Sequence, residues 1–309
     1  MTNKNKTVLI TGVCGFIGRY VARHFSKAGW RCVGIDIAAS ENAPSSYLSS
    51  YHSMSLPYPG LGPFLKDQKP DVCIHCAGRA SVGFSKIEPA DDFYNGPVMT
   101  FELLNAIRTN APECRFLFLS SAAIYGNPSW LPVSEVHPPA PISPYGFHKL
   151  QCEQICREFA EIYHMKTAGI RIFSAYGQGL RRQVLWDICQ KALSGNVVRL
   201  QGTGRESRDF IHAADIARAM MVIAEAADMR GEAYNLAAGI ETTIKELAYM
   251  IKSALNWDGE IQFEGTLPPG TPVNWRADIT KLSSLGFDPE IDIKDGVHQF
   301  ADWCRTEYI

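Results

Sequence analysis

Tyr145 and Lys149 stand four residues apart in Pro144-Tyr145-Gly146-Phe147-His148-Lys149. On a helix that spacing places a phenol and an ammonium on one face. A phenol is a poor base at neutral pH, but a neighbouring ammonium and a positively charged nicotinamide ring would favour the phenolate. Such a tyrosine could accept a hydroxyl proton as hydride leaves the carbon, and Lys149 could also hold ribose hydroxyls. A Tyr/Lys pair at this spacing is common on surface helices, so the pair alone decides nothing. A third group changes that. The apolar run Arg115–Leu119 leads into Ser120-Ser121-Ala122-Ala123-Ile124-Tyr125-Gly126, and ligands gather at the C-terminal ends of parallel strands. A serine there, with the tyrosine and lysine, makes a hydride-transfer site if a dinucleotide lies beside it.

A dinucleotide loop is present. Gly12-Val13-Cys14-Gly15-Phe16-Ile17-Gly18 has the spacing G-x-x-G-x-x-G, directly after Val8-Leu9-Ile10 and at the start of a helical pattern. The glycines permit a tight turn, close approach of backbone amides to a pyrophosphate, and close packing of helix on strand. The helix N-terminus then meets the phosphate charge. Asp36 ends the next strand pattern, where a carboxylate can accept from ribose hydroxyls. It would repel a 2′-phosphate, and Ile37-Ala38-Ala39-Ser40 offers no arginine to receive one, so NAD is expected rather than NADP.

The elements that must position these groups follow from hydrophobic patterning. Thr7–Thr11, Arg31–Asp36, Asp71–His75, Arg115–Ser120 and Ala168–Phe173 read as short strands buried on both faces. Helical patterns run over Gly18–Ala28, Pro97–Thr109 and Tyr145–Tyr163. Strand and helix in alternation predict a doubly wound parallel α/β sheet of the Rossmann type. After Phe173 the pattern changes. Helices near Val184–Ser194, Ala213–Ala227 and Ile293–Cys304 enclose a polar loop, Gly202–Arg208, and a turn cluster, Leu267–Pro272. The expectation is an NAD-binding domain over 1–174 and a smaller α/β lobe over 175–309, with about 209–237 returning to the first. No long linker separates them, which implies packed lobes and a cleft. The Ser45–Ser55 cluster reads as a loop.

Composition narrows the classes further. Thirty basic and 32 acidic residues give a net charge of −2, which offers no field for nucleic acid or an anionic membrane. No apolar run reaches the ~18–20 residues of a membrane span, and the polar start runs straight into a strand without a secretory pattern. Nine cysteines, an odd number in apolar surroundings, read as reduced thiols in a cytoplasmic protein. Cys73-Ile74-His75-Cys76 lies in a strand, without the second ligand pair a zinc site needs, so no metal is expected. Cys152 and Cys156 read as a helix face, core or dimer seam, and His148 as structural.

Taken in order, the segments Gly12–Gly18, Asp36, His75-Cys76-Ala77-Gly78, Ser120–Gly126, Tyr145–Lys149, Arg171-Ile172-Phe173 and Arg208-Asp209-Phe210-Ile211-His212 resemble the extended short-chain dehydrogenase/reductases. The likeness is to the NAD-dependent nucleotide-sugar epimerases and dehydratases, UDP-galactose 4-epimerase-like, over nearly the whole chain. The resemblance implies Tyr145 as acid/base, Lys149 as its partner and Ser121, five residues before Gly126, as the hydroxyl donor. It implies a cofactor lined by Gly12, Gly15, Phe16, Ile17, Gly18, Asp36, Ile37, Ala77, Gly78, Tyr145, Lys149 and Phe173. For substrate it implies Ser121, Tyr145, Ser174 and Val184, with Arg208 and Arg276 on the diphosphate. Arg181, Arg182, Arg199 and Arg205 are weaker diphosphate candidates.

Departures from the family narrow the chemistry. Ser121-Ala122-Ala123 lacks the carboxyls with which related dehydratases eliminate water. Cys114 and His137 do not sit in the pattern of the 3,5-epimerases. His52-Ser53-Met54-Ser55-Leu56 lacks the carboxylate that relatives place near adenine, and Asp92 stands where relatives often have asparagine near the nicotinamide. A plain Ser/Tyr/Lys site remains. It suits an epimerase that oxidises and re-reduces one carbinol of a nucleotide sugar, such as C4 of a UDP-hexose. The alternatives are a net keto-sugar reductase or dehydrogenase, and an NAD(H)-binding sensor without turnover. By the same resemblance, Pro97–Thr109 and Tyr145–Tyr163 would pair across a two-fold axis in a homodimer.

Overall fold

The computed structural model describes residues 6–267 and 272–308. The elements run β1 (Thr7–Thr11), α1 (Phe16–Lys27), β2 (Arg31–Asp36), β3 (Ser50–Ser53), α2 (Leu61–Gln68), β4 (Val72–His75), α3 (Val82–Ile87), α4 (Pro89–Phe93), α5 (Met99–Asn110), β5 (Arg115–Ser121), α6 (Pro144–Tyr163), β6 (Thr167–Ile172), β7 (Ser174–Tyr176), α7 (Gln183–Ser194), β8 (Val197–Leu200), β9 (Ser207–His212), α8 (Ala213–Ala226), β10 (Arg230–Leu236), β11 (Glu241–Thr243), α9 (Ile244–Ala254), β12 (Glu260–Phe263), α10 (Thr280–Ser283) and α11 (Ile293–Tyr308).

Seven strands form one sheet in the order β10-β6-β5-β4-β1-β2-β3, and every neighbouring pair is parallel. This is the doubly wound α/β fold the patterning predicts. The apolar runs follow from burial on both faces. Val8 and Ile10 of β1 pack with Val21, Phe25, Ile216 and Met220, beneath α1 and α8. Leu9 points the other way, into Leu65, Leu103, Leu104, Cys156 and Phe159 of α2, α5 and α6. Each such side chain contributes ~1.5–3 kcal/mol when fully buried. Cys152 and Cys156 belong to this core, not to an exposed seam.

Most expected bounds shift by a few residues, and two segments take a form other than the one expected. Ser50–Ser53, read as loop, is the edge strand β3, pairing with β2 from Val33↔Ser50 to Asp36↔Ser53. An edge strand buries little, so it needs no apolar run and patterning misses it. The helix expected from Pro97 begins as α5 at Met99. Tyr94–Val98 forms a wider π-helical turn containing Pro97, because proline lacks the N–H that the α-helical ladder requires. Of the Leu267–Pro272 cluster, residues 268–271 lie outside the described residues.

The later chain divides its elements. α8 packs beside α1, and β10 joins the main sheet next to β6. α7, α9 and α11 enclose a separate apolar core with β8 and β9, through Leu185, Ile188, Val198, Phe210, Leu247, Ile251 and Phe300. β9 sits between β7 and antiparallel β11, and β12 pairs with β8. Tyr20 Oη of α1 donates to Gln178 O at 3.0 Å, and Arg182 Nη1 to Ala80 O at 2.9 Å, tying the two groups of elements together. Among the described residues no helix is long and apolar enough to cross a membrane.

Candidate active site

Strand order reverses between β1 and β4, the switch point where open α/β sheets bind ligands. Both strands end there in polar residues. Thr11 Oγ1 shares a 2.7 Å hydrogen bond with His75 Nδ1 and accepts the Ala77 N–H at 3.2 Å. Burial, and secondarily Lys149, push the His75 imidazole down to about 3, so it stays neutral. Gly12 has φ +67°, and a Cβ on it would lie 2.6 Å from Ala77 N. The two segments expected to line the cofactor therefore touch backbone to backbone, which only glycine permits at this position.

Three features of the loop fit a dinucleotide. No side chain caps α1, so its first-turn amides at Phe16 and Ile17 have no acceptor within the helix and are free for an anion. Gly15 leaves the approach open at an exposed position. Asp36 ends β2 beside the loop, where its Oδ2 accepts from Cys14 N at 2.8 Å and its Oδ1 from Ala38 N at 3.1 Å. A carboxylate has about four lone-pair sites, so ribose hydroxyls can still be received. Asp36 thus braces the glycine loop, which the sequence did not expose, and keeps lone pairs for the ribose contact expected of it. Ile37 is exposed just beyond it.

The residues expected to carry the proton transfer converge on the end of β5. Ser143 Oγ caps α6 by accepting from Gly146 N, and Pro144 occupies the first helical position, where its missing N–H matters least. Tyr145 is buried, and its N–H donates to Ser85 Oγ of α3 at 3.1 Å. A Cβ on Gly146 would lie 2.6 Å from Ala123 O, so this glycine lets α6 press against the 122–125 turn. Lys149 Nζ donates to Leu119 O at 2.7 Å and lies 5.7 Å from the centroid of the Tyr145 ring. Ser121 Oγ accepts from Ala123 N at 3.1 Å, which caps the turn and fixes the hydroxyl at the strand end.

The other expected residues fall as follows. Phe173 is buried against Tyr125 and Trp275. Ser174 opens β7, and Val184 is half-buried in the first turn of α7. The Arg208 guanidinium donates to Ser207 O, Pro272 O and Val273 O and lies over Trp275, while burial lowers its pKa. Arg276 is exposed and donates to Gly239 O at 3.1 Å. Arg181 pairs with Glu307, and Arg199 donates to Gln262. Asp92, placed near the nicotinamide by analogy, is buried against His148, Oδ2 to Nδ1 at 2.5 Å.

Reading the sequence missed Thr11, Ser85 and Asp209. The first two carry no spacing signal, since they act from neighbouring strands and helices. Asp209 is fully buried, accepting from Ala238 N and Ala277 N at 2.9 Å each. It stands in the Arg-Asp-Phe segment already singled out, but the strand around it, Ser-Arg-Asp-Phe-Ile-His, is mostly polar, so patterning did not mark it as buried.

The model of the NAD dependent epimerase/dehydratase family matches residues 8–237. The chain belongs to that family. NAD is the family's cofactor, and the loop, the uncapped helix and Asp36 fit it. Among solved structures the chain is similar to UDP-N-acetylglucosamine 4-epimerase from Methanobrevibacter ruminantium in complex with UDP-N-acetylmuramic acid. The identity is 28%, the TM-score 0.89, and 98% of this chain and 99% of that one are covered. It is also similar to UDP-glucose 4-epimerase from Thermotoga maritima with UDP-glucose, at 27% identity and TM-score 0.90 over 98% and 100% of the chains. A third is UDP-glucuronic acid 4-epimerase from Bacillus cereus with UDP-glucuronic acid and NAD, at 25% identity and TM-score 0.88 over 98% and 100%. These relatives are nucleotide-sugar 4-epimerases, and this chain resembles them in sequence and fold.

Proposed function

We propose that this protein is an NAD-dependent epimerase acting at C4 of a UDP-hexose. The observation that carries the reading is the convergence of Lys149, Tyr145 and Ser121 on the end of β5, next to the glycine loop at the switch point. Bound NAD supplies the hydride acceptor and, in the second half-reaction, the donor. Tyr145 Oη takes the proton of the sugar hydroxyl as the carbon is oxidised and returns it on re-reduction. Lys149, anchored on Leu119 O, keeps its ammonium 5.7 Å from the centroid of the phenol ring, within reach of the ribose hydroxyls of a bound dinucleotide. Ser121 Oγ donates to the carbonyl oxygen that develops. Once the 4-keto sugar has turned over, hydride returns to its opposite face and the configuration inverts. No other carboxylate or thiol is needed, in keeping with Ala122 and Ala123 beyond the serine.

On this reading residues 1–174, with α8 and β10, bind NAD. The rest of 175–309 supplies Val184, Arg208 and Arg276 to the nucleotide. Two-fold pairing through α5 and α6 is proposed on the exposed Phe101, Phe147, Ile162 and Tyr163 of these helices; a monomeric mass in solution would remove it. The competing reading, net reduction or oxidation of a keto-sugar, shares every residue and differs in cofactor fate. The test offers UDP-hexoses to the protein with and without added NAD, following sugar products and nicotinamide absorbance. Epimer formation without net NADH supports the proposal, whereas stoichiometric NADH change assigns a dehydrogenase or reductase. Tyr145→Phe is expected to lower turnover ~10²–10⁴-fold with NAD binding intact. Unchanged turnover in that variant removes Tyr145 from the reaction.

A further inference from the structure

A buried ion pair lies beneath the proposed proton-transfer residues, and the chemistry above makes no use of it. Glu153 continues the four-residue spacing of Tyr145 and Lys149 along α6. Its carboxylate meets Arg171 of β6. Nη2 donates to Oε2 at 2.8 Å, and Nε to Oε1 and Oε2 at 3.1 and 3.2 Å. The two side chains are 8% and 10% exposed. Ser120 Oγ donates to the same Oε1. Arg171 Nη1 donates on to Tyr125 Oη and Glu135 O, and Tyr125 Oη to Asn235 Oδ1. Room for this arrangement comes from Gly169 of β6. A Cβ there would lie 3.2 Å from Glu153 Cγ, so its absence lets the glutamate lie along the sheet. Burial works against the Arg171 charge, but the Glu153 carboxylate more than offsets it, and the guanidinium is held above its ordinary range.

Such a pair is a weak source of net stability, because apolar residues of similar volume often do as well. Its geometric demand is stricter than theirs. Three Arg171 contacts and one from Ser120 hold the Glu153 carboxylate, and with it α6, against β5 and β6. The pair touches the segments bearing all three proposed catalytic groups: α6 itself, and Ser120, which lies between Ser121 and the Leu119 carbonyl that receives Lys149. We infer that Glu153, held by Arg171, is a positioning residue that sets α6 against the end of β5, so that Lys149 and Ser121 meet Tyr145 in working geometry. The inference rests on the proton-transfer role proposed for Tyr145.

The experiment measures kcat and KM for a turned-over UDP-hexose in the wild type, Tyr145→Phe, Glu153→Gln, the double variant and Ser120→Ala. Glu153→Gln keeps the volume and removes the charge. Because displacements near 1 Å cost up to ~10²-fold, its kcat is expected to fall ~10–100-fold with KM and NAD content nearly unchanged. In the Tyr145→Phe background the same change is expected to cost almost nothing more, since the group it positions is gone. A merely structural role would lower both backgrounds by the same factor and lower NAD content with them. Ser120→Ala, a milder change, is expected to reduce kcat by less, again without raising KM, and it serves if Glu153→Gln fails to fold. Wild-type kcat in both Glu153→Gln and Ser120→Ala, or equal-fold losses in both backgrounds, overturns the inference. Full activity in Tyr145→Phe instead overturns the proton-transfer reading, and the inference with it.

Discussion

Replacing Asp209 by asparagine should change how stability depends on pH. The carboxyl is fully buried in β9. Burial pushes it up from 3.8 to about 7, and the N–H bonds from Ala277 and Ala238 only partly pull it back. A raised acid value means that the folded protein holds this proton more tightly than the unfolded chain does. The resulting stabilisation is whole below the unfolded value of 3.8 and is lost as pH rises through about 7. Over that window the loss is ~1.4 kcal/mol per pH unit, up to ~4 kcal/mol in all. Between pH 5 and pH 8 the single proton accounts for ~2–3 kcal/mol. Asparagine has no such proton. Its NH₂ also faces a backbone N–H, which leaves one buried amide without an acceptor at ~1–3 kcal/mol, independent of pH. Urea unfolding of both proteins with saturating NAD, at pH 5, 6, 7 and 8, separates the two effects. The wild type should be the more stable at pH 5, and the gap should shrink by ~2–3 kcal/mol by pH 8. A gap that stays constant across this range would falsify the reasoning, because Asp209 would then titrate alike in both states.

Asp36→Ala should do more than relax discrimination between NAD and NADP. It also removes the acceptor of the Cys14 amide, so NAD itself should bind ~10-fold more weakly; an unchanged NAD-to-NADP affinity ratio in calorimetry rejects the ribose assignment. Gly146→Ala would place a methyl 2.6 Å from Ala123 O and 2.9 Å from Pro141 Cβ. Pushing α6 away should cost ~1–3 kcal/mol of stability together with turnover, and a variant with wild-type unfolding midpoint and kcat would show that the contact tolerates a side chain.

Much of this arrangement could be read in the residues before any coordinates. β1, β2 and β5 announce themselves because strands covered on both faces must be apolar throughout. The glycine spacing and the Tyr145/Lys149 interval are local, so chain order displays them. β3 did not, because an edge strand can be polar. The start of α5 did not, because a proline within a helical pattern can be absorbed by one wide turn at Tyr94–Val98. Ser85, Thr11 and Glu153 did not, because their partners are 60, 64 and 18 residues away in the chain, and no spacing rule links them.

By itself, then, the sequence determined the fold class, the glycine loop and the helix face that carries Tyr145 and Lys149. Each of these depends on interactions within one turn, one strand or one strand–turn–helix unit, whose periodicity the chain must show. Tertiary structure decided the rest. It made Asp36 a brace for the glycine loop, buried Asp92 against His148, and gathered Glu153, Arg171 and Ser120 under the proposed site. Those outcomes depend on which side chains meet across layers, and desolvation and hydrogen bonding fix them only when the sheet and its helices have closed.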